Sequence, residues 1–392
     1  MTFTIQPINH IAQSGLDKFE SSEFTVDTAA QDPHAIVLRS AKLHDHPFSD
    51  NLLAIARAGA GYNNVPVDAM TAKGIPVMNT PGANANAVKE LVIAALLAGA
   101  RNLLPAWDTS RQLTGDKASM SKEVESMKKA YAGFELPSRK LGVIGLGKIG
   151  VLVANACAQL GMTVWGYDPH ISVTNAWQLD ARVQQADSLE TVLQKVDCLS
   201  VHVPLNKHTE NLIDAEQLAQ LPSNTILLNF SRGGIVNTEA VCHALNSGNL
   251  HQYLSDFPEP LLQEQKNAFC FPHLGASTTE AADNCAQMAC DQLKNFLLYG
   301  QLKHCVNYPD LELSSKSPAR LCVFNKNVPN IVAQVTQALS AAGININQLA
   351  NSSRDEQAYN LIDLDAACSE ETLQAIQAIE GVKRVRQIIY HD

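Results

Sequence analysis

Residues Lys140 to Gly150 read KLGVIGLGKIG, a short apolar run that enters three glycines spaced as GxGxxG and continues into the helical stretch VLVANACAQLG. No other feature of the chain constrains the fold as much. Gly145 permits a tight turn, Gly147 lets a phosphate approach the backbone, and Gly150 brings helix close to strand. The segment is therefore expected to be the first βα turn of a dinucleotide-binding sheet. Lys148 and Ile149 open the helix, whose unpaired N–H groups and dipole favour a pyrophosphate. The next strand, TVWGYDPH, ends in Asp168, eighteen residues past Gly150. A carboxylate there accepts bonds from ribose hydroxyls and repels a 2′-phosphate. No Arg or Lys follows it in YDPHI, so NAD is expected rather than NADP.

Further strands read CLSVHVPL, TILLNF and AFCFP with helical stretches between them, which predicts a doubly wound parallel (Rossmann) sheet. Upstream, from Ala35, the runs IVL, LLAIARAGAGYNNV and IPVMNTPGANANAV alternate short β segments with helical patches and glycine turns. They predict a second α/β layer of flavodoxin-like type. A long helix is expected from near Ala87, with Val88, Leu91, Val92, Ala95 and Leu96 along one face. Residues 110–134 are polar and helix-permissive without a strong apolar face, as an exposed arm or an oligomer contact would be. After a linker at Leu311–Pro318, the tail from Ala319 spells βαββαβ, the ferredoxin-like order. The expected division is 1–86 plus 283–310 for the first α/β domain, 87–282 for the dinucleotide domain, and 318–392 for a third module.

The chain carries 29 Lys and Arg against 39 Asp and Glu, a formal charge of −10, which argues against general attraction to nucleic acid or anionic lipid. Any anionic ligand must be held locally. The longest apolar stretch, Leu91 to Ala98, falls far short of the roughly 20 residues of a membrane span. The start, MTFTIQPINH, has neither a basic nor an apolar leader region, so a cytoplasmic location is expected. Nine scattered cysteines without a CxxC pair read as reduced thiols. His44 and His46 flank Asp45 without further ligands nearby in sequence, and no metal is expected.

Three strand ends carry reactive side chains: NFSRGG with Arg232, SDFPEP with Asp256 and Glu259, and FPHLGAST with His273. Hydride leaves a secondary alcohol carbon only if the hydroxyl proton is removed with it, and a histidine suits that task. A carboxylate on its other ring nitrogen would fix the tautomer. An arginine fork would hold a carboxylate or a developing carbonyl through charged hydrogen bonds worth roughly 1.5 to 3 kcal/mol each.

With NTPGANANAVKEL (Asn79 to Leu91), HVPLNKHTENLI (His202 to Ile213), SRGGIVN (Ser231 to Asn237) and PHLGAST (Pro272 to Thr278), these segments resemble the D-2-hydroxyacid dehydrogenase family over nearly the whole chain. Within it they resemble the members that end in an ACT domain and oxidise 3-phosphoglycerate with NAD to 3-phosphohydroxypyruvate. The resemblance implies His273 as base, Glu259 as its orienter and Arg232 as the cation. It further implies Asp256 on the nicotinamide carboxamide, with His202, Val203, Pro204, Thr209, Phe230 and Ser231 along the coenzyme beside Arg232 and His273. Most of the family has two more residues between the equivalents of Asp256 and Glu259, so Glu264 is an alternative orienter.

The loop ARAGAGYNN resembles the family's substrate loop. Its backbone N–H groups at Ala58, Gly59, Ala60 and Gly61 would face the acid, with Arg57 as a cation and Asn84 as a polar contact. Lys128 or Lys129 of a neighbouring subunit would add charge for a phosphate. The tail's resemblance to serine-binding ACT domains places Asn325, Asn327 and Asn345 at an L-serine site, though relatives often carry His where Asn325 stands and Gly where Asn330 stands. A homodimer or homotetramer is implied. A glyoxylate or hydroxypyruvate type reductase and a non-enzymatic NAD(H)-sensing regulator remain the other readings.

Overall fold

The computed structural model describes residues 2–19, 22–314 and 317–390. Ser315 and Lys316 of the expected linker lie outside the described residues. The chain divides into two compact units, Met1–Asn84 with Thr279–Asp392, and Ala85–Thr278.

In the first unit, β1 (Phe3–Ile8), β2 (Phe24–Val26), β3 (Ala35–Leu38), β4 (Ala54–Arg57) and β5 (Val77–Met78) form a parallel sheet in the order β2-β1-β3-β4-β5. This is the flavodoxin-like order. All of β3 and the first three residues of β4 are buried, as central strands covered on both faces must be. The short helices α1 (Gln13–Leu16) and α2 (Val67–Ala72) cover parts of it.

The second unit opens with α3 (Ala85–Ala100), which buries Val88, Val92, Ala95 and Leu96, the face its spacing predicts. Two helices without a buried residue follow, α4 (Leu103–Arg111) and α5 (Lys117–Met127). Then come β6 (Lys140–Ile144), α6 (Lys148–Gln159), β7 (Thr163–Tyr167), α7 (Val173–Ala176), β8 (Gln184–Gln185), α8 (Leu189–Leu193) and β9 (Cys198–Val201). The unit closes with α9 (Ala215–Leu218), β10 (Ile226–Asn229), α10 (Thr238–Ser247), β11 (Gln252–Ser255), α11 (Pro260–Gln263) and β12 (Ala268–Cys270). Its strands pair in parallel in the order β12-β11-β10-β9-β6-β7-β8. The order reverses between β6 and β9, and ligands of such sheets bind beyond the carboxyl ends of the strands at that reversal.

The chain then returns to the first unit through α12 (Thr279–Tyr299), whose Ala286, Ala289, Leu293 and Phe296 join the core of Ile5, Val37, Ala54 and Ala56. The tail comprises β13 (Ala319–Lys326), α13 (Ile331–Ala341), β14 (Ile346–Arg354), β15 (Gln357–Leu364), α14 (Glu370–Gln377) and β16 (Val382–Ile389). Its antiparallel sheet runs β14-β15-β13-β16, the ferredoxin-like arrangement read from the sequence.

This module does not stand apart from the first sheet. Leu321, Val323 and Ile362 pack under its own helices, whereas Cys322, Phe324, Tyr359 and Leu361 share a core with Phe296 and Tyr308. Alternate residues of a strand face opposite sides, and here both sides are apolar. Phe324 stacks on Tyr359 with ring centroids 4.3 Å apart and meets Tyr308 edge-on at 4.9 Å. Arg386 donates to the carbonyls of Phe296 and Leu297, and Arg320, paired with Asp363, donates to that of Tyr299. Two cations thus meet the negative end of α12, where carbonyls lack helical partners. Among the described residues no helix is long and apolar enough to cross a membrane.

Candidate active site

The glycine turn is built as its spacing requires. Gly145 has φ +87°, and a β-carbon there would sit 2.7 Å from the carbonyl oxygen of His202. At Gly150 a β-carbon would fall 1.9 Å from the Gly145 oxygen, so only glycine lets α6 start this close to the strand end. Gly147 meets nothing within 4 Å, leaving open space before the first turn of α6. That turn's N–H groups point into the space without a capping side chain, which suits a pyrophosphate. Asp168 follows β7 and is half-buried, its carboxylate oxygens accepting the N–H groups of Leu146 and His170, each at 2.8 Å. It stands fixed beside the glycine turn with lone pairs to spare. The residues present therefore fit a dinucleotide with free ribose hydroxyls.

The neighbouring strand ends are tied together. The N–H of His202 donates to the Ile144 carbonyl at 2.7 Å, and its Nε2 meets Ser200 Oγ at 2.8 Å while Nδ1 is buried without a partner among the described residues. Burial pushes its pKa down to about 4, so the imidazole is neutral near pH 7. Ser231 Oγ donates to the Val203 carbonyl, and Thr209 Oγ1 donates to that of Pro204 at 2.5 Å. Thr209 thus shapes its own loop. Phe230 is buried against Phe271, with centroids 6.1 Å apart, and offers only its backbone to the strand end.

Arg232 sits in a turn held by Asn229, whose Nδ2 donates to the Arg232 carbonyl at 2.9 Å. Its guanidinium donates to the Ser231 carbonyl at 2.7 Å and has no carboxylate partner among the described residues. It is reachable by solvent, yet the protein around it desolvates it enough to lower its pKa. Such a cation is open to an anion.

His273 is exposed with φ +56°, a left-handed conformation uncommon outside glycine, and its ring lies edge-on to Phe257 at 5.1 Å. What holds it there is Asp256, 1% exposed, whose two oxygens accept the N–H groups of Leu274 and Gly275, each at 2.7 Å. The carboxylate expected on the nicotinamide is thus turned to the histidine's own loop. Glu259 is the N-cap residue of α11 and makes no hydrogen bond to His273, nor does Glu264 at the other end of that helix. Glu259 lies toward Cys270 at the end of β12, where burial and then this carboxylate raise the thiol pKa to about 11.

In the first unit, Arg57 ends β4 and its Nε donates to the carbonyl of Arg39, which directly follows β3, at 2.9 Å. Two cations therefore stand at adjacent strand ends. Arg39 was not singled out from the sequence, although an arginine immediately after a buried IVL run marks the carboxyl end of a strand. Gly59 has φ +142°, and a β-carbon would lie 1.7 Å from the Arg57 Nη1, so glycine is what lets the guanidinium fold over the loop. The four loop amides are not equivalent. Ala58 donates to the Leu38 carbonyl at 2.7 Å and Gly59 to Thr80 Oγ1 at 2.6 Å, leaving those of Ala60 and Gly61 without a partner among the described residues. Asn84 buries an Oδ1 acceptor that meets no donor among the described residues.

Lys128 and Lys129 lie on the exposed arm, Lys128 paired with Glu125. In the tail, Asn325 is 2% exposed and saturated by Lys326 and Asn360, while Asn327 and Asn345 are exposed. Asn325 pairs across to Ala358, whereas Asn345 precedes the Ile346–Leu364 pair at the opposite end of the sheet. One copy of the chain does not bring the three together.

A doubly wound sheet with this glycine turn and carboxylate defines a dinucleotide-binding unit, here joined to a second α/β unit with a cationic, glycine-rich loop. A family model described as "D-isomer specific 2-hydroxyacid dehydrogenase, NAD binding domain" matches residues 93–275. The chain is 32% identical over 372 residues, 91% of its own length and 87% of the relative's, to D-3-phosphoglycerate dehydrogenase of Escherichia coli K12. It is 30% identical to the Haemophilus influenzae protein of the same name, over 96% of this chain and 95% of that one. An NAD+-bound 3-phosphoglycerate dehydrogenase structure from Entamoeba histolytica superposes with TM-score 0.61 at 24% identity, over 79% of this chain and all of that one. The chain belongs to the D-isomer specific 2-hydroxyacid dehydrogenase family, and its coenzyme is NAD.

Proposed function

We propose that this enzyme oxidises C2 of 3-phosphoglycerate with NAD, giving 3-phosphohydroxypyruvate, in the cytoplasm. The observation that carries the reading is the similarity to D-3-phosphoglycerate dehydrogenases along almost the entire chain, tail included. Gly145, Gly147, Lys148, Ile149 and Gly150 hold the pyrophosphate and Asp168 the ribose. NAD, when bound, accepts the hydride that leaves C2. His273 takes the hydroxyl proton, and Arg232 holds the oxygen on which carbonyl character develops. Glu259 orients the histidine once substrate is in place, since catalytic hydrogen bonds often tighten only in the loaded complex. Glu264, at the other end of α11, is the alternative orienter.

On the substrate side, the unpaired amides of Ala60 and Gly61 and the cations Arg57 and Arg39 suit an acid with more than one negative charge. Asn84 offers its unpartnered acceptor to a hydroxyl. A second copy of the chain covers Leu103, Trp107 and Val124 on the arm, which are 52%, 60% and 45% exposed, and brings Lys128 or Lys129 to the phosphate. The tail is a regulatory ACT module in which Asn327 of one copy and Asn345 of another approach L-serine. Asn325 is spent inside its own sheet.

Initial rates of NADH formation from 3-phosphoglycerate, D-glycerate and D-lactate test the reading. A kcat/KM at least about a hundredfold higher for the phosphorylated acid is expected, given two or more charge-assisted bonds to the phosphate. Equal rates on the unphosphorylated acids would replace it with a general 2-hydroxyacid dehydrogenase. L-serine inhibition of the full chain tests the tail.

A further inference from the structure

The segment NTPGANAN, prominent in the sequence yet given no chemical task beyond Asn84, lies directly against the glycine-rich loop. Thr80 holds Gly59 from both sides: its Oγ1 accepts the Gly59 N–H at 2.6 Å, and its own N–H donates to the Gly59 carbonyl at 3.1 Å. Asn79 Nδ2 donates to the Ala60 carbonyl at 2.6 Å. Asn79 is braced in turn, its carbonyl accepting from Nε2 of Gln292 at 3.1 Å, a side chain of α12 that is 6% exposed.

In a planar trans peptide the C=O and the following N–H point in opposite directions, and no cis bond occurs here. The Gly59 carbonyl faces Thr80, so the Ala60 N–H faces away from it. The Ala60 carbonyl faces Asn79, so the Gly61 N–H also faces away. Two successive peptide units are thereby turned so that their N–H groups, which have no partner among the described residues, face away from Thr80 and Asn79, and successive backbone N–H groups left open in this way can bind an anion's oxygens. We propose that Asn79 and Thr80 are positioning residues that aim the Ala60 and Gly61 amides at the substrate's carboxylate, with Gln292 fixing Asn79. The proposal rests on the reading that this loop receives a 2-hydroxy acid.

The test uses Asn79→Ala, Thr80→Val and Thr80→Ser in the full-length enzyme. Thr80→Val keeps the shape and the backbone N–H but removes the acceptor for Gly59. Amide exchange of the segment 57–63, followed by mass spectrometry, is expected to show one additional fast-exchanging amide in Thr80→Val and none in Thr80→Ser. Asn79→Ala and Thr80→Val are each expected to raise KM for the acid about tenfold with kcat lowered much less and NAD affinity unchanged, and Thr80→Ser to restore KM. An unchanged exchange pattern in Thr80→Val, or KM within twofold of wild type in both variants, would overturn the proposal. Wild-type enzyme inactive on every 2-hydroxy acid would overturn the catalytic reading instead, and the exchange arm would still decide the loop geometry.

Discussion

The carboxylate of Asp256 accepts the backbone N–H of Gly275 at 2.7 Å, and the two lie close enough that a β-carbon on Gly275 would approach Asp256 Oδ2 to a tight 3.2 Å. Its other oxygen takes the N–H of Leu274, so one buried side chain fixes both residues that follow His273. Asp256→Asn replaces one acceptor oxygen by a donor that faces another donor. A charged hydrogen bond is worth roughly 1.5 to 3 kcal/mol, so kcat is expected to fall by about one to two orders of magnitude. NADH titration by fluorescence quenching checks that coenzyme affinity changes less than turnover.

The proposed assignment makes Asp168 the residue that selects NAD over NADP. With its oxygens held by Leu146 and His170, it cannot swing away from a 2′-phosphate. Asp168→Arg is expected to shift the ratio of kcat/KM values toward NADP by at least about tenfold, by removing a repulsive charge and adding an attractive one. An unchanged ratio would mean the ribose lies elsewhere.

His202 makes the nucleotide unit sensitive to acid. Its folded pKa, about 4, lies below the ordinary 6.5 because burial opposes the charged form. Between these values the unfolded chain binds the proton and the folded one does not, so stability is full above about pH 6.5 and is lost as pH falls toward 4. The loss amounts to at most about 3 kcal/mol. His202→Asn should flatten the dependence of Tm on pH across that window, measured by circular dichroism.

The tail contributes to the stability of the first unit. Arg386 is half-buried, its guanidinium lying over the rings of Phe3 and Phe296, 5.5 and 5.3 Å from their centroids, and it donates to two carbonyls at the end of α12. Arg386→Leu is expected to cost about 2 to 4 kcal/mol by leaving those carbonyls unpaired, whereas Tyr359→Phe, which loses one bond to the Gly300 carbonyl, should cost about 1 kcal/mol. Urea denaturation curves measure both.

Much of this architecture is legible in the residues themselves. The GLGKIG turn, Asp168 at the next strand end and the βαββαβ tail follow from local spacing, and local spacing survives folding. The helix read from near Ala87 starts at Ala85 because an N-terminus carries little apolar signal. Non-local relationships are a different matter. That β13 and β15 carry apolar residues on both faces is visible, but which core Phe324 and Tyr359 would join depends on α12, some thirty residues upstream of β13. The tasks of Asp256 and Thr80 were hidden for the same reason: each bonds to backbone some twenty residues away, and a backbone N–H leaves no trace in a sequence. The pairing of Glu259 with His273 is what the family resemblance implies, and in the structure Glu259 caps α11 without a hydrogen bond to His273.

The central claim is that His273 removes the hydroxyl proton. Absorbance at 340 nm during incubation of His273→Ala with NAD and 3-phosphoglycerate tests it, beside a calorimetric measurement of NADH binding. The expected result is NADH formation lowered by two to four orders of magnitude with NADH affinity within about threefold of wild type. Turnover near the wild-type rate would place the base elsewhere and contradict the account.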